Sequence, residues 1–129
     1  MGADNETVMP KEMIIVSETD EKGNIIFAND DFCKIAGYEI SELLGKPHNI
    51  VRHEDMPKAA FADLWKTVKS GIVWKGIVKN KTKNGGFYWV RATVYPSKDP
   101  SGNLRYISVR IKPTKNEVID AIKLYSTLS

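Results

Sequence analysis

The chain opens with two short apolar runs that are separated by a turn. Residues 13–18 (MIIVSE) and 25–28 (IIFA) are rich in β-branched and aromatic side chains, which is typical of buried strands. The intervening TDEKGN supplies Asp, Gly and Asn, which tight turns favour. The pattern therefore predicts a hairpin of two strands.

After this hairpin the spacing of apolar positions changes to that of helices. Residues 29–37 predict a short helix that Asn29 or Asp30 caps and Gly37 ends. Residues 41–45 predict one more helical turn. A block of short helices therefore follows the hairpin.

The longest helical pattern covers residues 55–71. Asp55 is a suitable N-cap, and Pro57 lies in the first turn, where its missing N–H group costs little. Gly71 ends the pattern. One face of this predicted helix carries Phe61, Leu64, Trp65 and Val68, at the spacing of an apolar stripe.

Three further strands are predicted at residues 74–81, 87–96 and 104–111. Asn84-Gly85 is a strong hairpin signal, so these strands form an antiparallel meander. The last strand alternates, with Ile107, Val109 and Ile111 on one face and Tyr106, Ser108 and Arg110 on the other.

Strands at both ends with helices between them predict an α+β fold with one mixed or antiparallel sheet. We divide the chain into a flexible lead at 1–12, a domain at 13–113 and a C-terminal helix or linker at 114–129. The last segment is amphipathic, and its stripe needs a partner in this domain, a second copy or another protein. The stripe consists of Val118, Ile122 and Tyr125.

Composition narrows the class of protein. The length of 129 residues suits one domain, and the net charge of +3 is spread evenly, which disfavours nucleic-acid binding. No apolar run reaches the roughly 18 residues of a membrane span, and the polar N-terminus lacks a secretory signal. Cys33 is the single cysteine and forms no internal disulfide, so we expect a cytoplasmic protein, including one held at the membrane face by a partner.

The densest polar stretch is HNIVRHEDMP, residues 48–57. His48 and His53 are five residues apart, unlike helical metal ligands at i and i+4, and the chain has no third histidine. A nucleophilic Cys33 would need a histidine nearby in space, and simple packing explains this cysteine better. A haem with one histidine ligand stays open, and so does a clamp for a ring-shaped ligand.

A ligand clamp combines hydrogen-bond donors with flat apolar surfaces. Arg52 offers a planar fork of donors, and His53 can donate or accept. Each candidate also has a structural alternative, since Arg52 could pair with a neighbouring acid and Asn29 could cap a helix. The other members of the clamp would be the amides of Asn29 and Asn80 and the stacking surfaces of Trp65, Trp74 and Trp89.

The chain resembles PAS domains over roughly residues 13–125. The resemblance rests on GNIIFANDDFCKIAGYEISELLGKP (23–47) and on the HNIVRHEDMPKAAFADLW that follows it (48–65). Together with IVKNKTKNGGFYWVRATVYP (77–96), these stretches are similar to the PAS domain of bacterial aerotaxis receptors, the Aer type. The resemblance implies a five-stranded antiparallel sheet with short helices on one face and a pocket between them.

The resemblance also implies a function. In this subgroup the pocket binds FAD noncovalently as a redox sensor for aerotaxis, so we expect no enzyme. The implied partner is a methyl-accepting chemotaxis-type signalling protein or a HAMP module, in cis or in trans, with a PAS homodimer as a further option. The implied cofactor-binding residues are Asn29, Arg52, His53, Asp55 and Trp65, to which we add Asn80 by analogy with other flavin-binding PAS domains and Trp74 as a stacking surface.

The light-sensing LOV branch of the family differs in one residue. It needs a cysteine in the short helix near NIVRH, whereas Cys33 lies on an earlier helix, so we expect flavin without that photochemistry. Aerotaxis receptors continue into a membrane anchor, a HAMP module and a coiled coil, so we expect either an excised sensor domain or a stand-alone PAS protein. A haem-binding PAS domain, a cofactor-free interaction module and an enzyme such as a small flavin reductase are the alternatives.

Overall fold

A computed structural model describes residues 5–128. Two strands come first, then the helical block, then three strands and a final helix. The elements are β1 (Ile15–Asp20), β2 (Ile25–Ala28), α1 (Asp30–Ala36), α2 (Ile40–Leu43), the 3-10 helix η1 (His48–Val51), α3 (Lys58–Lys69), β3 (Trp74–Lys81), β4 (Phe87–Lys98), β5 (Leu104–Ile111) and α4 (Lys115–Tyr125).

The five strands form one antiparallel sheet in the order β2-β1-β5-β4-β3. The predicted α+β fold with a five-stranded antiparallel sheet is confirmed, and so are the hairpin β1–β2 and the meander β3–β4–β5. Pairing of β1 with β5 joins the two ends of the chain at the centre of the sheet.

The helical block lies on one face of the sheet. Asn29 caps α1 by accepting the Phe32 N–H at 3.1 Å, and Gly37 ends the helix with a φ of 81°. Phe32, together with Leu43 of α2, is fully buried against the sheet. Short helices that are marginal alone are therefore held by the apolar face that they share with the strands.

Helix α3 begins three residues later than the sequence predicts. Its N-cap is Pro57, without a side-chain hydrogen bond, so the prediction of Asp55 as the cap is wrong. Residues 53–56 form a turn instead, in which the Met56 N–H donates to the His53 carbonyl at 3.1 Å. The Met56 side chain is buried, and this anchor holds the turn apart from the helix.

Helix α4 packs along β3, the edge strand at the opposite end of the sheet from β2. The Tyr125 hydroxyl donates to the Ile77 carbonyl, and the buried residue of the helix is Ala121. The predicted stripe is divided: Tyr125 packs against the core of this domain, whereas Ile122 is 52% exposed, because the helix turns Ala121 and Tyr125 toward the sheet. None of the helices within residues 5–128 combines the length and hydrophobicity that a membrane span requires.

Candidate functional site

A cavity of about 670 Å3 lies between the inner face of the sheet and the helical block. Its size falls within the roughly 300–1,000 Å3 of small-molecule and cofactor sites. The apolar walls come from the sheet, η1 and α3, and they consist of Val51, Phe61, Leu64, Trp65, Trp74, Val78, Ala92 and Val94.

Trp65 closes one side of the cavity. Its ring meets the Tyr106 ring edge-on at 5.4 Å, and it reaches the turn between β1 and β2 at Gly23. A Cβ atom on Gly23 would lie 3.3 Å from the indole, and the φ of 88° at this glycine also disfavours a side chain. The glycine turn and the tryptophan therefore fit together at the rim.

Trp74 forms part of the floor, on β3. Its indole N–H donates to Oδ2 of Asp63 on α3 at 2.9 Å. The ring lies over Gly76, where a Cβ atom would come within 2.3 Å of the indole carbons. Because Gly76 has no Cβ atom, the indole can occupy this space. The hydrogen bond to Asp63 fixes the orientation of the ring.

Arg52 and Asn80 are neighbours at the cavity through an antiparallel backbone bridge. The Arg52 guanidinium stacks over the Phe61 ring at 4.0 Å, and Asn80 is 4% exposed. The structure thus brings four of the predicted site residues together around one cavity: Arg52, Trp65, Trp74 and Asn80.

The other three predicted site residues lie outside this cavity. Asn29 uses its amide for the α1 cap and for β1, accepting the Val16 N–H at 3.0 Å and donating to the Ile14 carbonyl at 2.9 Å. His53 and Asp55 lie in a second, more open cleft. Trp89, a further stacking candidate, is not among the residues that line either space.

The second cleft, of about 1110 Å3, lies beside the cavity, and Arg52 borders both. Within it, Nδ1 of His53 accepts the Asp55 N–H at 3.0 Å. The Asp55 carboxylate pairs with Lys79 Nζ at 2.7 Å, and this bond lowers the pKa of Asp55. The cleft therefore already contains an organised set of charged groups.

A buried polar cluster on the inner side of the cavity was missed from the sequence. Arg110 donates to Ser17 Oγ at 2.6 Å and lies 3.2 Å from Nε2 of His48, which is 2.9 Å from the same hydroxyl. The alternation of β5 placed Arg110 on one face with Tyr106 and Ser108. The alternation alone did not show that the face with Tyr106, Ser108 and Arg110 lines a cavity, rather than the opposite face with its isoleucines and valine.

Comparison with known proteins decides the family. A family model described as the PAS fold matches residues 25–110. The aerotaxis receptor of Escherichia coli (strain K12) is 46% identical over 123 residues, which are 95% of this chain and 24% of the receptor. The chain belongs to the PAS family. The predicted resemblance to the aerotaxis-receptor type is confirmed.

Solved structures agree with this assignment at the level of the fold. The dark structure of the blue-light photoreceptor Aureochrome1 LOV has a TM-score of 0.73 at 18% identity and covers 88% of this PAS domain and 85% of that chain. A light-oxygen-voltage domain studied with a flavin analogue has a TM-score of 0.70 at 21% identity, over 88% and 86%. The PAS domain spans about a quarter of the length of the aerotaxis receptor. We therefore describe it as a PAS sensor domain, related to proteins of signalling.

The lining of the PAS cavity carries a surplus of positive charge. His48 carries no charge near neutral pH, because its pKa is lowered to about 3. The main cause is burial of the imidazole, and the second is repulsion from Arg110. The residue as a whole is partly exposed. Across residues 5–128 no group of three metal-ligating side chains comes together. The lining contains one acidic residue, Glu21, and four basic residues: Lys22, Arg52, Lys69 and Arg110.

Proposed function

We propose that this PAS domain binds FAD and reports the redox state of the flavin to a signalling partner, as an energy sensor of the aerotaxis type. The observation that carries the proposal is the cavity, which combines aromatic walls with four basic residues against one acid. Flat aromatic side chains suit the isoalloxazine ring, and the exposed or partly exposed Lys22, Arg52 and Lys69 suit the two phosphates. The aerotaxis receptor as a relative, and a fold neighbour studied with a flavin analogue, support the same choice.

The proposed residues divide between the two ends of the cofactor. Trp65, Trp74 and Asn80 would hold the ring, because they line the deep cavity. Arg52 borders both spaces, so it would bind where the ring continues into the phosphates. His53 and Asp55, in the outer cleft, would contact the remainder, whereas Asn29 would act through the position of α1.

Haem fits the same residues less well. His48 is the histidine at the cavity, and its Nε2 already meets Ser17 and Arg110. Ligation of iron by this nitrogen would break both contacts. His53 lies in the outer cleft with Nδ1 bonded to the Asp55 N–H.

The bound flavin would supply reversible uptake of electrons, which changes the charge and the proton on its ring. The Asn80 amide can present either its carbonyl oxygen or its NH2 group to such a ring. A buried polar group without a partner costs about 1–3 kcal/mol, enough to shift a two-state equilibrium severalfold. Asn80 lies on β3, the strand whose Ile77 carbonyl holds Tyr125 of α4, so this strand would carry the change outward.

The signal would pass from α4 to a methyl-accepting chemotaxis-type protein or a HAMP module, in cis or in trans, at the cytoplasmic face of the membrane. Ile119 and Ile122 are 48% and 52% exposed on α4 and offer an apolar surface to such a partner. A second PAS copy would use the same helix in the homodimer alternative.

The absorption spectrum of the purified protein, with FAD supplied during expression, tests the proposal. We expect the two visible bands of oxidised flavin, and release of FAD on denaturation. Arg52→Ala and His53→Ala should each weaken FAD binding at least tenfold, as binding titrations would measure. Arg91→Ala is the matched control, because Arg91 pairs with Glu117 of α4 and does not line the cavity.

Two outcomes would contradict this proposal. A Soret band would identify haem, and a colourless protein after reconstitution would favour a cofactor-free interaction module. If FAD binds but both variants retain full affinity, the assignment of Arg52 and His53 is wrong.

A further inference from the structure

Arg110 is a buried cation without a buried counter-charge. The residue is 2% exposed, and its guanidinium lies over the Phe32 ring at 4.5 Å. None of the ion pairs among residues 5–128 involves Arg110. The single acid at the cavity is Glu21, which is exposed in the turn between β1 and β2. Buried charges are normally paired, so this arrangement is unusual.

The contacts of Arg110 hold the guanidinium in place but leave its charge uncompensated. Arginine only donates, so Nε2 of His48 must accept, and the imidazole is therefore neutral with its proton on Nδ1. The Ser17 hydroxyl accepts from Arg110 at 2.6 Å, and its own proton shares the single lone pair of Nε2 with the Arg110 donor. Serine and neutral histidine fix the direction of the guanidinium without neutralising it.

Unused hydrogen-bonding capacity lies in the lining of the same cavity. Within the described residues, Nε of Arg110 is buried without a hydrogen-bond partner, and so is Oγ1 of Thr19. Both residues line the cavity. An unpaired donor on a buried cation indicates that the group is organised for a ligand atom that accepts hydrogen bonds and carries negative charge.

We propose, building on the proposed function, that Arg110 binds the negative charge that the flavin ring acquires on reduction, and so sets the reduction potential of this domain. The ring would take two electrons from an external low-potential reductant, dithionite in the experiment below, and one proton from solvent. One negative charge remains on the ring, and Arg110 stabilises it. Ser17 and His48 are positioning residues for the guanidinium. The oxidised ring is neutral, so Arg110 discriminates between the two redox states.

The experiment compares the midpoint potential of the FAD-loaded wild type with that of Arg110→Gln and Arg110→Lys. We expect Arg110→Gln to bind oxidised FAD within severalfold of the wild type and to lose at least tenfold in affinity for reduced FAD, which lowers the potential. Arg110→Lys keeps the charge and should recover most of the difference. Arg91→Gln removes an arginine outside the cavity and should leave the potential unchanged.

The pH dependence of the wild-type potential gives a second test that needs no variant. An anionic reduced ring takes up one proton for two electrons, whereas a neutral reduced ring takes up two. We expect the one-proton dependence to extend below neutral pH, where reduced flavin in water takes up its second proton and where His48, with its pKa of about 3, stays uncharged. The titratable and charged groups that line the cavity with Arg110 are Glu21, Lys22, His48, Arg52, Lys69 and Tyr106. Tyr88 of β4, buried outside this lining, is a further titratable neighbour of Arg110.

The outcomes separate this inference from the proposed function. A wild type that binds no flavin overturns the proposed function and this inference with it. A wild type that binds flavin, with an unchanged potential in Arg110→Gln or a two-proton dependence, overturns the role of Arg110 alone. If Arg110→Gln does not fold, Arg110→Lys and the proton count of the wild type decide the question.

Discussion

Two indole rings of the cavity lie against glycines, and the fit between ring and backbone sets the shape of the ligand space. Trp74 covers Gly76 on the strand, and Trp65 covers Gly23 in the turn. Each pair joins a large flat side chain to a residue without a Cβ atom. Substitutions at these glycines should therefore act on the tryptophans first.

Gly76→Ala should displace the Trp74 ring. The new Cβ would lie 2.3 Å from an indole carbon, so the ring must move and lose its bond to Asp63. Overpacking of this kind costs about 1–3 kcal/mol. Urea unfolding and tryptophan fluorescence would measure the change, with Lys75→Ala at the neighbouring exposed position as the control. If Gly76→Ala had the stability and the fluorescence emission of the wild type, the Trp74 ring would not be packed tightly against Gly76.

The buried imidazole of His48 should make the domain less stable in mild acid. Burial lowers its folded pKa to about 3 from the ordinary value of 6.5, so below pH 6.5 only the unfolded chain takes up this proton. Stability therefore falls as pH falls, by about 2 kcal/mol between pH 7 and pH 5. His48→Gln should remove this part of the slope, which urea titrations at the two pH values would measure. Parallel slopes in the two proteins would contradict a neutral buried imidazole.

At this scale the sequence predicted seven site residues. Arg52, Trp65, Trp74 and Asn80 line the cavity, whereas the other three lie outside it. Arg110 was placed on the correct face of β5 but received no role, because alternation alone does not show which face turns inward. Whether a polar face is buried depends on the neighbouring strand and on η1, which supply Ser17 and His48.

At the scale of the elements, the hydrogen bond between Asp63 and Trp74 connects α3 to β3 at the floor of the cavity. Asp63→Ala would leave the Trp74 indole N–H without its acceptor, at a cost of about 1–3 kcal/mol. Asp63→Asn keeps an acceptor oxygen and should lose less. Thermal unfolding of the two variants tests the contact, and equal losses would mean that charge rather than the hydrogen bond matters.

The contact between α4 and β3 should control the mobility of the helix. Tyr125→Phe removes the hydroxyl that donates to the Ile77 carbonyl and keeps the ring. We expect faster amide hydrogen exchange across residues 115–125, with FAD binding within twofold of the wild type. Tyr95→Phe, on the exposed side of β4, is the matched control. Protection that stays at the wild-type level would show that packing alone holds α4.

The sequence predicted the existence and type of these elements better than their ends. Helix α3 starts at Lys58 rather than Asp55 because the buried Met56 side chain holds the preceding turn outside the helix. The stripe of α4 left open which of its residues meet this domain, because the pattern cannot show where the helix meets an edge strand. Both points concern contacts with distant parts of the chain.

For the whole molecule, the charge of the cavity lining predicts how FAD affinity responds to salt. Three of the four basic residues, Lys22, Arg52 and Lys69, are exposed or partly exposed, so added salt screens them. FAD binding should therefore weaken severalfold from low to high ionic strength. Riboflavin has no phosphates, and its binding should change much less. Titrations of both ligands at several salt concentrations measure this, and equal responses would rule out phosphate recognition by these residues.

The topology of the sheet could not be derived from local patterns. Each hairpin has its own turn signal, but β1 and β5 are separated by most of the chain and meet at the centre of the sheet. The resemblance to PAS domains implied five antiparallel strands in one sheet but did not give their order. The residues of the two strands agree with the observed pairing, since Ser17 and Arg110 turn to the same side.

The position of α4 has a consequence for solubility. Strand β3 is at the edge of the sheet, and part of its outer backbone, at Ile77, Lys79 and Asn80, is engaged by the Tyr125 hydroxyl, the Met56 sulfur and the bridge to Arg52. Exposed edge strands invite pairing with other chains. A shortened protein that ends before Lys115 would uncover the Ile77 carbonyl beside the apolar groups that α4 shields. Its first defect should be concentration-dependent aggregation through this edge, while the cavity itself stays intact.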